Sequence, residues 1–147
     1  MHFTNTTEKL FLVIVDDDAD DLELIKDVYE ELNLSKKVIT LTSADNLIHL
    51  LDQVPDPSNL PSLIVLDYNM PKVGGLELLL ILKSHKVYKN IPVIFYSTTM
   101  TMEIEETLLA AGAVYCFQKP VTIKGVRDFM KEIWSIADSF QQRNAVL

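Results

Sequence analysis

The sequence predicts an α/β fold: a doubly wound parallel sheet of five strands with helices on both faces. Short apolar runs alternate five times with stretches whose apolar residues recur at three- and four-residue spacing. The runs are too short for buried helices and suit strands covered on both faces. Strict alternation of this kind needs crossover connections, which are right-handed and place helices on each side of the sheet.

Taken in order, residues 1–9 (MHFTNTTEK) are polar and predict a loose N-terminal segment. LFLVIV then reads as a buried strand ending at Asp16. Beyond it, Leu22, Ile25, Val28, Tyr29 and Leu32 mark one face of a helix for which Asp18 is the N-cap candidate. Lys37 to Leu41 reads as a short β-branched strand, and Ser43 can cap a helix carrying Leu47, Ile48, Leu50 and Leu51. Three prolines make Val54 to Pro61 a loop. SLIVLD gives the third strand, ending at Asp67, and a Pro/Gly-bearing loop leads into LELLLILK. That segment is apolar nearly all round, which predicts a substantially buried helix. PVIFYS is the fourth strand, ending at Ser97. Thr101 or Thr99 caps the next helix, with Ile104, Leu108 and Ala111 inward and Gly112 as terminator. AVYCFQ is the fifth strand, ending at Lys119-Pro120. Thr122 opens a last helix whose core face is Val126, Phe129, Met130, Ile133 and Ala137, and residues 138–147 form a tail or an extension of it.

At 147 residues the chain has the length of one ordinary domain. Lys plus Arg number 13 against 21 Asp plus Glu, a formal charge of -8. No basic cluster offsets this, so a direct nucleic-acid-binding role is not expected. The single cysteine, Cys116, excludes an intramolecular disulfide and a Cys-based zinc site. The apolar run Leu10 to Val15 leads straight into acids, unlike a signal peptide, and no segment has bilayer-spanning length. The expected protein is soluble and cytoplasmic, without membrane insertion.

Four polar groups fall at the C-terminal ends of four strands: the Asp16-Asp17 pair, Asp67, Ser97 and Lys119. In a parallel sheet these ends share the edge where ligands bind. Converging carboxylates repel, by ~4 kcal/mol for two charges about 4 Å apart at an effective dielectric near 20. Either one acid keeps a proton or a cation binds. Oxygen-only ligands favour Mg²⁺. Lys119 can then meet an anion and Ser97 can donate to it, a set suited to phosphoryl transfer with a carboxylate as nucleophile.

VDDD at Val15 to Asp18, LDYNMP at Leu66 to Pro71, GGLE at Gly74 to Glu77, PVIFYST at Pro92 to Thr98 and QKPVT at Gln118 to Thr122 carry a family likeness. In order and spacing, over residues 9–137, the chain resembles the receiver domain of two-component response regulators. The resemblance implies a flavodoxin-like strand order of 2-1-3-4-5, a receiver domain at 9–137 and an N-terminal extension at 1–8. It implies that Asp67 is the phosphoacceptor, supplied by a sensor histidine kinase or a histidine phosphotransfer protein. Asp17 matches the direct Mg²⁺ ligand, Asp16 its partner through water, and Asn69 the residue whose backbone carbonyl completes the metal site. Lys119 matches the lysine that pairs with phosphoryl oxygens, with a cis bond to Pro120, and Ser97 matches the hydroxyl that reports phosphorylation. Side chains at Asn69 and Thr99 flank the site and tune phosphoryl lifetime in the family. Output passes to another protein or a phosphorelay, and a homodimer is among the implied forms.

One departure stands out: three residues before the lysine the family usually carries Tyr or Phe, and this chain has Cys116. Neighbouring Tyr115 points to the opposite face of the strand and does not replace it. Cys116 reads as a small buried hydrophobe. His49 and His85 lack a second ligand at metal spacing and read as helix residues, and Trp134 reads equally as packing or as part of a partner surface. Two other functions compete. Asp16-Asp17-Asp18 matches the bare Asp-x-Asp of a Mg²⁺-dependent aspartyl phosphatase, although Asp20 stands where such enzymes carry Thr or Val and no cap domain is expected. The third is a phosphorylation-independent interaction module. A flavin-binding version of the fold is disfavoured because VDDDAD lacks a small-residue phosphate loop.

Overall fold

The computed structural model describes residues 8–146. The expected N-terminal extension lies, apart from Glu8, outside the described residues. Five parallel strands and five helices alternate: β1 (Leu12–Val15), α1 (Ala19–Glu31), β2 (Val38–Leu41), α2 (Ala44–Asp52), β3 (Leu63–Asp67), α3 (Gly75–Ser84), β4 (Val93–Ser97), α4 (Met102–Ala110), β5 (Tyr115–Gln118) and α5 (Ile123–Val146). The sheet order is β2-β1-β3-β4-β5, all pairs parallel, as a doubly wound, flavodoxin-like fold requires.

Every residue of β1, β3 and β4 is buried. Alternation splits their side chains between two cores. Val13, Val15, Ile64, Leu66, Val93 and Phe95 meet α2, α3 and α4, whereas Leu12, Ile14, Leu63, Val65, Ile94 and Tyr96 meet α1 and α5. The same parity decides the site. Asp67 pairs in register with Tyr96 on β4, and Asp16 follows the Val15–Leu66 pair by one residue. Asp16, Asp67 and Tyr96 therefore project in a row from one face of the sheet, at its C-terminal edge.

The expected caps act through their side chains: Asp18 accepts from the N–H groups of Asp20 and Asp21, Ser43 from Asn46, and Thr101, not Thr99, from Ile104. Thr122 Oγ1 accepts from Gly125 N at 2.9 Å, and Gly112 takes φ +113° after α4. The helix opened by Thr122 continues without a break through residue 137 to Val146, burying Val126, Phe129, Met130, Ile133 and Ala137.

One expectation needs correction, and others gain detail. The helix read as apolar all round, α3, buries Leu78, Leu79 and Leu82 but leaves Leu80 50% and Ile81 46% exposed. A helix packed on one side of a sheet has one inward face, whatever its composition. The proline-bearing loop before β3 holds a 3₁₀ turn at Pro57–Asn59, capped by Asp56, and a second such turn at Tyr88–Asn90 precedes β4. Trp134 is a packing residue, its ring 4.5 Å from Phe11 and 6.4 Å from Tyr29 between α1 and α5. His85 ends α3, its Nδ1 accepting from Val87 N and Tyr88 N while its ring stacks on Tyr88 at 3.7 Å.

Candidate functional site

The β1 carboxylate, Asp16, is wholly buried, and both its oxygens are engaged. Oδ1 accepts from Asp18 N at 2.9 Å. Oδ2 accepts from the Tyr96 hydroxyl at 2.5 Å and faces Lys119 Nζ at 3.0 Å. A buried charge is tolerated only when paired and hydrogen-bonded, and this set does both. Tyr96 was not legible as a site residue. From sequence it is one more strand aromatic; only the order β1-β3-β4 shows that its hydroxyl reaches across the intervening strand β3 to Asp16.

Asp67 ends β3 and is 3% exposed. Its Oδ1 accepts from Asn69 N at 3.1 Å, and its Oδ2 lies 3.4 Å from Lys119 Nζ. Burial, with the Asp16 carboxylate adding to it and Lys119 opposing, pushes the Asp67 carboxyl up to about 7. Lys119 follows β5, whose end is tied to β4 by Lys119 N donating to Ser97 O at 2.8 Å. Burial works against its charge, but Asp21, Asp16 and Asp67 outweigh that and hold the ammonium above the ordinary lysine range.

Ser97, fully buried, accepts from Asn69 Nδ2 at 3.2 Å, so the loop after Asp67 is bridged to the end of β4. Asp17, Asp16 and Asp67 each offer a carboxylate oxygen, and the three oxygens lie within 4.8 Å of one another. All six residues read as site candidates thus meet at one edge, Asn69 through its amide groups. The donor set fits a hard divalent cation: oxygens alone, in excess of the one ammonium, around a carboxyl that burial first and the Asp16 charge second make reluctant to ionise.

Two expectations fare differently. Among the described residues no peptide bond is cis, so the Lys119–Pro120 bond is trans. Only ~0.5–1 kcal/mol separates the two forms before proline, small enough for surrounding contacts to set the isomer. Cys116 is half-buried against the core beneath α2, α3 and α4, and burial, with Glu105, pushes its thiol up to about 11. It is a neutral packing group, and Tyr115 beside it is 50% exposed on the opposite face.

The Tyr96 bond yields a prediction. Tyr96→Phe removes a donor from a buried charge and is expected to cost about 1.5–3 kcal/mol of stability, measured by urea unfolding at neutral pH.

The sequence matches the family model described as the response regulator receiver domain over residues 12–131. Among curated relatives, the two-component response regulator ARR7 of Arabidopsis thaliana is 31% identical over 131 residues, covering 84% of this chain and 62% of that protein. The two-component response regulator-like PRR73 of Oryza sativa subsp. indica is 30% identical over 101 residues, covering 69% of this chain but 13% of that protein. The chain thus spans less than two thirds of the length of either. Among solved structures, the Mn²⁺-bound form of the response regulator Rcp1 aligns with TM-score 0.71 at 25% identity, covering 84% of this chain and 91% of that one. The phosphorylated cyanobacterial phytochrome response regulator RcpA aligns with TM-score 0.72 at 26% identity, covering 86% and 91%. Among the described residues no helix is long and apolar enough to cross a membrane. With its sheet order, its acid-lined edge and a family model spanning most of its length, the chain belongs to the response regulator receiver domains of two-component signalling.

Proposed function

We propose that the chain is a phosphoacceptor switch in which Asp67 takes a phosphoryl group from a phosphohistidine, in a Mg²⁺-dependent reaction. One observation carries this reading: three acids, Lys119 and Ser97, from four strands, meet at one sheet edge with Asp67 at their centre. An Asp67 carboxylate oxygen attacks phosphorus, the new P–O bond replaces the donor's P–N bond, and the imidazole leaves with a proton from solvent. Asp16, Asp17, Asp67 and the Asn69 carbonyl would hold the metal. When bound, Mg²⁺ neutralises charge on the acids and the transferring group. Lys119 meets the phosphoryl oxygens as a point charge. The Ser97 hydroxyl leaves Asn69 Nδ2 and donates to the phosphoryl group, so the end of β4 reports its arrival.

The phosphohistidine comes from a sensor histidine kinase or a histidine phosphotransfer protein, and the chain catalyses only its own phosphorylation and dephosphorylation. Output is phosphorylation-dependent protein binding, homodimerisation included, or phosphorelay. The receiver unit is assigned to residues 9–137. A cytoplasmic setting is part of the same proposal. The engagement of both Asp16 oxygens argues against the phosphatase reading, which needs that carboxylate as nucleophile. Incubation with acetyl phosphate tests the proposal. Intact-mass spectrometry is expected to show one added phosphoryl group with Mg²⁺ and none with a chelator; equal labelling in both, or none in either, would contradict it.

A further inference from the structure

We infer that Asp21 is a positioning residue: it divides the charge of Lys119 between the start of α1 and the phosphoryl site, and so weakens the hold on a phosphoryl group at Asp67. The inference rests on the function proposed above. An ammonium has three N–H donors. In this structure Lys119 Nζ faces three acids, with Asp16 Oδ2 and Asp21 Oδ2 at 3.0 Å and Asp67 Oδ2 at 3.4 Å. The contact to Asp21 is a hydrogen bond, while Asp67 is the most distant of the three. Lys119 is thus held nearer α1 than the group it is to serve.

The ordinary reading of Asp21 is an acid placed in the first turn of a helix to complement its dipole. That reading covers Asp20 equally well, and the two differ. Asp20 is exposed; the side chain of Asp21 is 41% exposed and turned beneath the helix start onto a lysine 98 residues further along the chain. A phosphoryl group needs that same ammonium. Its oxygens compete with Asp21 for the donors of Lys119, and the Asp21 carboxylate adds repulsion from the side. Asp21 also lines, with Leu24, Ile25, Pro120, Val126 and Phe129, the small crevice between α1 and α5 that opens beside Lys119. Lys119 is the only protein cation within contact of Asp67 among the described ion pairs, so its charge cannot be made up from elsewhere.

Binding of beryllofluoride, a phosphoryl mimic, at saturating Mg²⁺ tests this by calorimetry on the whole chain. Asp21→Asn is expected to tighten binding by about three- to fivefold, the size of a partly exposed charge pair. It is also expected to weaken Mg²⁺ binding in the absence of beryllofluoride, because a negative charge near the metal acids is gone. A merely structural defect would weaken both. Asp20→Asn removes the same charge from the same turn without touching Lys119, and is expected to leave beryllofluoride affinity unchanged. Should the Asn variant fold poorly, Asp21→Ser repeats the measurement. Beryllofluoride binding that Asp21→Asn weakens, or changes no more than Asp20→Asn does, overturns the role of Asp21 alone. Wild-type protein that fails to bind beryllofluoride, or binds it as well after Asp67→Asn, overturns the proposed function and this inference with it.

Discussion

Asp67→Asn is expected to take up no phosphoryl group from acetyl phosphate under conditions in which the wild type is expected to gain one, and to be the more stable protein in metal-free buffer. The first result follows from chemistry: an amide is not the nucleophile, and the neighbouring Asp16 has both oxygens committed to Asp18 N, Tyr96 and Lys119. The second follows from linkage. Burial first, and the Asp16 charge second, raise the Asp67 carboxyl from an ordinary value to about 7 in the folded protein. A raised acid favours the fold while protonated and disfavours it once ionised. The wild type's contribution from Asp67 is therefore complete below about pH 4 and is lost as pH rises to about 7. Asparagine keeps the neutral state at every pH. The stability difference between variant and wild type should widen from about pH 4 to about pH 7 and then level off, read from urea unfolding in the presence of a chelator. Mg²⁺ should narrow it by stabilising the wild type.

Gly75→Ala is expected to destabilise the domain by about 1–3 kcal/mol or more and to impair phosphorylation with it. A Cβ at this position would stand 2.7 Å from Asp67 O, 2.7 Å from Phe95 Cε1 and 2.9 Å from the Tyr68 Cα. Two of those neighbours are backbone, and one belongs to Asp67 itself. Gly75 N also donates to Tyr68 O at 3.1 Å, which seats the start of α3 directly over the end of β3. Relief of the clash would have to move the helix or the strand end that aims the carboxylate. Gly74 is the internal control, since a Cβ there meets nothing within 4 Å. Gly74→Ala should cost little, and the two denaturation midpoints compared side by side check the claim.

The elements were legible because each strand is a short apolar run and every helix but α3, which follows Gly74, opens on a side chain that can cap it. Asp18, Ser43 and Thr101 cap in the structure as their positions predict. Alternation gave a parallel sheet but not the order of its strands; that came from the motif resemblance, and the pairing of β1 between β2 and β3 agrees with it. Composition misled at α3, where Leu80 and Ile81 look like core residues and face outward. The acids, the serine and the lysine were legible because strand ends are points that sequence can locate. Tyr96 and Asp21 were not, for a common reason. Tyr96 meets Asp16 across an intervening strand, and Asp21 meets Lys119 across the sheet edge, contacts fixed by tertiary geometry and by no local pattern. A tyrosine in an otherwise apolar buried strand was the available clue, since a buried hydroxyl needs a partner.

Cys116 packs against the core without an aromatic ring to rotate. Under the proposed function, that leaves the reporting step to Ser97 and its present donor, Asn69.

The central claim is that Asp67 is the phosphoryl site, and chemical trapping of the acyl phosphate followed by peptide mapping tests it most directly. Protein phosphorylated with Mg²⁺ and acetyl phosphate, reduced with borohydride and digested, should carry the reduction product at Asp67 and at no other carboxylate. Trapping at Asp16 or Asp17, or label retained on a histidine, would contradict it.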